Sequence, residues 1–248
     1  MTANNFLEFL KKEGNILVAL SSEAVTPTAI SSALLELDIS IPADKGAVVV
    51  DHFNYDTSSA AEKHDVLLLQ TPGALRPDVK NYFGGDGYVA VPRAVAQVLG
   101  NDSPLLSPIL RAPSTAYSYS PKDEAEAVED PFAVGQQLNL ISAMQANNAA
   151  RLTVLGSAEV LQNQWFAENV KLAGKSIKTA NREFASKLSA WTFKETGVLK
   201  VGKIAHYQDE GKSKKINTSL AIPENNPGIY RVKSDVVSPP APLHCPLI

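Results

Sequence analysis

Two carboxylates and an imidazole stand close together directly after an apolar run. Asp51, His52 and Asp56 follow residues 46–50, which predict a buried strand. A histidine beside an aspartate could act as a general base, with the aspartate orienting the imidazole. The same side chains, together with Asn54, could instead bind a ligand. The simplest interpretation is that they cap the loop in which they lie.

A second candidate site follows another β-prone run, at residues 151–155. Gly156 and Ser157 end this run, and Glu159 comes two residues after Ser157. In open α/β sheets, ligands collect outside the carboxyl ends of the strands, so these three residues lie where a site is expected. The simpler interpretation is that Gly156 permits a turn and that Ser157 caps the segment that follows.

A free-standing α/β hydrolase or transferase is the alternative function. It would use Ser157 as nucleophile and the Asp51/His52 pair as base, but the glycines of the G-x-S-x-G elbow are missing. No HExxH metal motif is present either. The one cysteine, Cys245, lies near the end of the chain, which argues against a cysteine nucleophile or a cysteine-ligated zinc site. The sequence therefore predicts no catalytic residues, no cofactor and no metal site.

Apolar periodicity predicts the elements that position these residues. Helices are predicted at 3–12, 28–37 and 179–196, and strands at 15–20, 46–50, 66–69 and 151–155. Residues 138–146 carry apolar side chains at roughly helical spacing, so they predict a further helix that leads into the strand at 151–155. Helices and strands in this order predict an α/β fold with an open, parallel-rich sheet and flanking helices.

The composition changes towards the carboxyl terminus, where we expect three parts. They are an α/β domain over 1–206, a linker and the start of a β-rich, sandwich-like region over 207–236, and an irregular proline-rich tail over 237–248. Within this scheme, residues 198–206 are extended, 208–217 form a charged linker and 229–232 begin a strand. If the chain is luminal, Asn217 in the triplet Asn217-Thr218-Ser219 is a candidate glycosylation acceptor.

Charge and hydropathy argue against several classes of protein. The formal net charge of -3 argues against a nucleic-acid partner, because a surface that follows phosphates needs a basic excess. No stretch approaches the roughly eighteen apolar residues of a transmembrane helix. The first twelve residues lack the apolar core of a signal peptide.

Four longer motifs occur in an order that is typical of one family. They are DHFNYD (51–56), STAYSYSP (114–121), AVGQQLNLISAMQANNAARLTVLGSAEVLQNQWF (133–166) and LSAWTFKETGVLKVG (188–202). Over roughly residues 5–236, the chain resembles the forty-eight-kilodalton subunit of eukaryotic oligosaccharyltransferase, and its variants look closest to fungal members. Four long motifs in the same order are far more specific than any one of them.

The resemblance implies a non-catalytic subunit of the endoplasmic-reticulum membrane complex that transfers the dolichyl-diphosphate-linked oligosaccharide to asparagine in N-x-S/T sequons. It implies a luminal α/β domain that is similar to glutamine-amidotransferase-like folds. The implied partners are the other oligosaccharyltransferase subunits, including the catalytic one, and the lipid-linked oligosaccharide is a candidate ligand. The candidate contact residues are Asp51, His52, Asn54, Asp56, Gly156, Ser157 and Glu159.

Sugar binding without catalysis is a third hypothesis, and it is compatible with the subunit role. Aromatic residues would then serve as stacking platforms, and the ones to inspect are Phe53, Tyr55, Tyr117 and Tyr119. Family members also begin with a signal peptide, an opening strand and a helix, and they continue into a β-sandwich and one transmembrane helix. We therefore expect an incomplete representative, truncated at both ends and without its first strand.

Overall fold

The computed structural model describes residues 2–73, 81–100, 103–120, 130–167 and 169–198, and the strands at 200–210, 213–217 and 230–237. The chain divides into two compact units, Met1–Phe193 and Lys194–Ile248. In the described ranges, no helix is long and apolar enough to cross a bilayer.

The first unit contains four helices and twelve strands among its described residues. The helices are α1 (Ala3–Lys11), α2 (Thr28–Glu36), α3 (Asn163–Ala167) and α4 (Asn181–Thr192), with short 3₁₀ helices at Gly135–Gln137 and Ala158–Leu161. The strands are β1 (Ile16–Ala19), β2 (Ile39–Ser40), β3 (Val48–Val50), β4 (Val66–Gln70), β5 (Tyr88–Pro92), β6 (Gln97–Leu99), β7 (Leu106–Arg111), β8 (Tyr117–Tyr119), β9 (Leu138–Gln145), β10 (Arg151–Leu155), β11 (Asn169–Leu172) and β12 (Lys175–Lys178).

A mixed six-stranded sheet forms the centre of this unit. Its order is β1-β10-β9-β6-β2, and β7 also pairs with β9. Only β1 and β10 are parallel, with Ile16 opposite Leu152, and the other pairs in this sheet are antiparallel. The α/β class is confirmed, but the parallel-rich sheet was wrong. A tight turn joins β9 to β10, and so short a connection can link only antiparallel neighbours.

The helix predicted for residues 138–146 was wrong, because this segment forms the central strand β9. Every residue from Leu138 to Met144 is buried, so the strand faces protein on both sides. Its polar members do not mark a solvent face. The Ser142 hydroxyl donates to Gln97 Oε1 at 2.5 Å, and the Asn139 amide donates to the Gln97 carbonyl oxygen at 3.4 Å. The polar residues that gave this segment a helix-like spacing are therefore buried and hydrogen-bonded, and they do not mark the solvent side of a helix.

The other predicted elements of this unit are confirmed, with ends shifted by a few residues. Helices α1, α2 and α4 and strands β1, β3, β4 and β10 lie where periodicity predicts them. However, β3 pairs with β8 and β4 pairs with β5, each as a separate antiparallel ribbon. Val49 and Leu67 of these ribbons pack with Leu140 and Leu155 of the central sheet in one apolar cluster. This packing places the loop that follows β3 against the core.

The second unit is a three-stranded antiparallel sheet of β13 (Lys200–Glu210), β14 (Ser213–Asn217) and β15 (Tyr230–Val237). The extended segment at 198–206 and the strand predicted near 229–232 are confirmed. Of residues 208–217, predicted as a charged linker, 208–210 and 213–217 instead lie in the paired strands β13 and β14, where Asp209 is opposite Lys214. Opposite charges at facing positions favour such pairing, which composition alone does not reveal.

Asn217 is the last residue of β14, and the remainder of its sequon lies outside the described residues. Its glycosylation therefore stays a prediction. Val237, the first residue of the predicted proline-rich tail, ends β15, and residues 238–248 lie outside the described residues.

Candidate functional site

Asp51 anchors the loop that follows β3. Its side chain is fully buried. Oδ1 accepts hydrogen bonds from the backbone N–H groups of Phe53 at 2.8 Å and Asn54 at 3.3 Å. Oδ2 accepts from Asn54 Nδ2 at 3.0 Å and from the Thr115 hydroxyl at 2.8 Å. Asp51 thus shapes the loop and joins it to the residues before β8, as the capping interpretation requires.

Asp56 anchors the next turn in the same way. It is buried, and its carboxylate accepts hydrogen bonds from the backbone and hydroxyl groups of both Ser58 and Ser59. It also accepts a bond of 2.7 Å from the backbone N–H of Lys171 in β11. The carboxylate therefore connects the turn to the β11–β12 hairpin, which comes more than one hundred residues later in the chain.

The pKa of each of these carboxyl groups lies below its ordinary value of 3.8. Burial is the largest single influence and raises both pKa values, but the hydrogen-bond donors around each carboxylate together outweigh it. For Asp51 the donors are Asn54, Phe53 and Thr115. Carboxylates held ionised in this way are poor proton carriers at neutral pH, so the environment suits fixed acceptors better than acid–base catalysts.

His52 belongs to a group of rings on the surface beside this loop. Its side chain is exposed, its Nδ1 contacts His64 Nδ1, and its Nε2 lies 3.0 Å from the Tyr117 hydroxyl. The ring centroids of His64 and Tyr55 are 4.0 Å apart. The hydrogen bonds of the Asp51 carboxylate go elsewhere, and no bond among the described residues joins it to His52. The predicted Asp–His pair is therefore not formed.

Gly156 and Ser157 have clear structural roles at the end of β10. A Cβ atom on Gly156 would lie 2.5 Å from the Val95 carbonyl oxygen and 2.8 Å from that of Leu140, so only glycine fits without a backbone shift. Ser157 is buried, and its hydroxyl accepts a hydrogen bond from the Glu159 N–H at 3.2 Å, which caps the following 3₁₀ helix.

Glu159 is paired with Arg93, the residue that follows β5. Arg93 Nε donates to Glu159 Oε1 at 2.8 Å, and a second contact joins Nη2 to Oε2. The Arg93 backbone N–H donates to the Asp65 carbonyl oxygen at 2.7 Å. A cavity of about 400 Å³ lies beside Arg93 and is lined by residues 58–63 and Asp65. Arg93 therefore joins the two predicted site regions, which lie far apart in the sequence.

The contacts do not assemble a hydrolase centre. The hydrogen-bond partner of Ser157 is the Glu159 backbone, and the partners of His52 are His64 and Tyr117, so no bond among the described residues joins Ser157 to His52. In the same part of the chain, no group of three or more histidine, cysteine, aspartate or glutamate side chains is arranged to hold a metal ion. The arrangement offers hydrogen-bonding and aromatic groups to a partner or ligand.

Residues 1–195 match the model of the family described as OST48, N-terminal domain. The chain belongs to this family. The resemblance drawn from the four sequence motifs is thereby confirmed.

Curated relatives carry matching names. The Dolichyl-diphosphooligosaccharide--protein glycosyltransferase 48 kDa subunit of Drosophila melanogaster is 32% identical over 84% of this chain and 46% of its own length. The subunit of the same name in Danio rerio is 35% identical over 80% of this chain and 44% of its own length. The subunit wbp1 of Schizosaccharomyces pombe is 28% identical over 94% of this chain and 48% of its own length. The chain thus spans about half the length of these members of the family.

A solved structure titled mmIFT52 N-terminal domain is 16% identical, with a TM-score of 0.48 over 77% of this chain and 69% of that chain.

Reasoning from the sequence missed three residues that complete the site in this member of the family. Arg93 is a lone cation beside the apolar run 88–92, and nothing nearby in the sequence indicates its partner. Thr115 lies in the STAYSYSP motif, and His64 lies between the DHFNYD motif and the strand predicted at 66–69. Their roles depend on contacts with His52 and Asp51, which only the fold brings into reach.

Proposed function

We propose that this chain is part of a non-catalytic subunit of the oligosaccharyltransferase complex, which supports transfer of the dolichyl-diphosphate-linked oligosaccharide to asparagine in N-x-S/T sequons. Its α/β domain, the unit Met1–Phe193, acts as a scaffold on the luminal side of the endoplasmic-reticulum membrane. Its partners are the other subunits, including the catalytic one. Membership of the OST48, N-terminal domain family over residues 1–195 is the observation that carries this proposal.

The geometry of the candidate site supports a scaffold rather than an independent enzyme. Asp51 and Asp56 are buried acceptors, and Ser157 is a buried cap. In contrast, His52 is exposed and Glu159 pairs with a partly exposed Arg93. We assign the contact role to His52, Asn54 and Glu159, while Asp51, Asp56, Gly156 and Ser157 hold these residues in place.

The proposal includes two finer points. The lipid-linked oligosaccharide is a candidate ligand of the contact region, and the fold is a distant relative of the glutamine-amidotransferase-like folds. A superposition of an experimental structure of the domain on members of that fold group tests the second point. Agreement in strand order and direction is expected, and a different strand order would contradict it.

Recovery of the complex is the direct test of the function. The full chain, tagged and expressed in cells that contain oligosaccharyltransferase, is extracted from microsomes in mild detergent, and the co-purified proteins are identified by mass spectrometry. We expect the catalytic subunit among them. Recovery of the correctly folded chain without any subunit of the complex would contradict the proposal.

Matched variants test the contact region within the same experiment. His52→Ala and Glu159→Gln should reduce recovery of the complex or glycan transfer. Phe193→Ala, which removes another exposed aromatic side chain, should leave both unchanged. If His52→Ala and Glu159→Gln behave like Phe193→Ala, the assigned residues only stabilise the local fold.

A further inference from the structure

Four rings contact one another in a chain that runs from Tyr55 through His64 and His52 to Tyr117, and two exposed rings follow on β8 and the segment beside it. We call these six residues the ring stripe: Tyr55, His64, His52, Tyr117, Tyr119 and Phe132. The ring centroid of His52 lies 4.7 Å from that of His64 and 5.8 Å from that of Tyr117. The ring stripe thus runs from the loop that follows β3 on to strand β8.

Strand alternation directs the β8 end of the ring stripe outward. Residues 117 and 134 form an antiparallel bridge and the Ser118 N–H donates to the Ala133 carbonyl oxygen, so the same register continued by one position directs Tyr119 towards Phe132. Ser118 and Ala133, one position along, are buried and face the core. Side chains alternate between the two faces of a strand, so the rings on either side face solvent. Tyr119 is 48% exposed and Phe132 is 43% exposed.

The ring stripe combines apolar faces with hydrogen-bonding edges. It carries two imidazoles and three phenol hydroxyls, and none of its six members has a carboxylate, ammonium or guanidinium group. In the contact between His52 and His64, one ring nitrogen must donate and the other must accept. These groups match a ligand that has both hydroxyl groups and an apolar face.

A pyranose ring meets this description. One face of the sugar presents C–H groups, which pack against the electron-rich face of an aromatic ring, and the hydroxyl groups around its rim donate and accept hydrogen bonds. One polar edge lies within the ring stripe, where the Tyr117 hydroxyl contacts His52. Another lies beside it, where the Ser120 hydroxyl, next to Tyr119, donates to Asp44 at 3.4 Å.

We propose that the ring stripe is a carbohydrate-binding surface that stacks the pyranose rings of a neutral oligosaccharide on Tyr117, Tyr119 and Phe132. This inference rests on the proposed function and gives its candidate ligand a location and a mode of binding. It differs from the proposed function in what it requires. Assembly with other subunits needs no sugar contact, so the two can fail separately.

Saturation-transfer NMR on the full chain tests the inference with three soluble probes, mannotriose, chitotriose and maltotriose. We expect transfer from aromatic protons of the protein to the ring protons of at least one trisaccharide. Tyr119→Phe should retain binding because it keeps the ring. Tyr119→Leu keeps apolar area without the ring, and it should weaken binding by about fivefold or more. Phe193→Ala, an exposed ring away from the ring stripe, should bind like the parent chain.

Two outcomes would overturn the inference. One is the absence of transfer to all three probes, and the other is equal binding by Tyr119→Leu and Tyr119→Phe. The co-purification experiment on Tyr119→Leu separates the two proposals. Retained assembly together with lost trisaccharide binding supports the carbohydrate surface. Lost assembly with unchanged trisaccharide binding identifies the ring stripe as a protein contact and contradicts our inference.

Discussion

Arg93 and Glu159 form an ion pair that joins the end of β5 to the 3₁₀ helix after β10. Two contacts link the guanidinium group to the carboxylate, and the side chains are 41% and 16% exposed, respectively. The Arg93 backbone also bonds to Asp65, so this one residue connects the loop of the first predicted site to the turn of the second. A partly exposed ion pair at such a junction fixes the orientation of the two segments more than it stabilises the fold.

A double-mutant cycle on this pair should give a small coupling. We expect about 0.5–1 kcal/mol between Arg93→Met and Glu159→Gln, because solvent screens a partly exposed pair even when its geometry is bidentate. Urea denaturation of the four chains measures the coupling. A value near zero would mean that the two residues stabilise the fold independently.

Removal of the Asp51 carboxylate should cost far more than removal of one of its donors. Asp51→Ala leaves four donors without their acceptor in a buried site, so we expect a loss of about 2–4 kcal/mol in the free energy of unfolding. Thr115→Val removes a single bond and should cost about 1 kcal/mol. Equal losses in the two variants, measured by urea denaturation, would show that water replaces the missing carboxylate.

The free energy of unfolding should decrease as the pH is lowered, because folding lowers the pKa of both Asp51 and Asp56. A depressed pKa means that the unfolded chain binds protons first. The stabilisation is therefore complete at pH values above the ordinary pKa of 3.8 and is lost as the pH falls through the lower folded pKa values. Urea denaturation at pH values between about 6 and about 2.5 measures this loss. In Asp56→Asn the free energy of unfolding should depend less steeply on pH in the acid range. An unchanged dependence would mean that other carboxyl groups cause the loss of stability.

Gly156→Ala should destabilise the chain by about 1–3 kcal/mol, because the new Cβ would overlap two backbone carbonyl oxygens that cannot move independently. Gly73→Ala provides the control, since a Cβ atom there would meet nothing within 4 Å. Thermal denaturation of both variants tests the comparison. If the two variants melt alike, the backbone around Gly156 is more adaptable than the contacts indicate.

Periodicity could predict the elements that bury one face, but not the pairing of the strands. Helices α1, α2 and α4 show their apolar stripes in the sequence, since one side of each faces solvent. Strand β9 has no such face, so its buried Asn139 and Ser142 imitate the polar side of a helix. Strand direction depends on which partners meet, and a single sequence does not specify that.

The candidate site also contains some residues whose roles the sequence could predict and others whose roles it could not. Asp51 and Asp56 could be found because polar residues after a strand shape loops through nearby backbone groups. The partner of Glu159 could not be found, because Arg93 lies 66 residues away and only the fold brings it into reach.

Gln97 should stabilise the central sheet strongly, because its side chain bonds to both β9 and β10. Its amide nitrogen donates to the Leu140 carbonyl oxygen at 3.1 Å and to that of Val154 at 3.2 Å, and its amide oxygen accepts from Ser142. Gln97 is fully buried, so water cannot take over these bonds. Gln97→Met keeps the volume but removes a side-chain donor from two carbonyl oxygens and removes the acceptor of the Ser142 hydroxyl. The Leu140 carbonyl oxygen keeps its bond from the Gly156 N–H, and we expect the variant to cost about 2–4 kcal/mol.

The partner variant Ser142→Ala removes only the hydroxyl group and should cost about 1 kcal/mol. In the double variant the cost should be less than the sum, because Gln97→Met has already removed the acceptor of the Ser142 hydroxyl. Urea denaturation of the three variants and the parent chain measures this. Additive costs would show that the Ser142 hydroxyl finds another acceptor, so that Gln97 holds the two strands through its amide nitrogen alone.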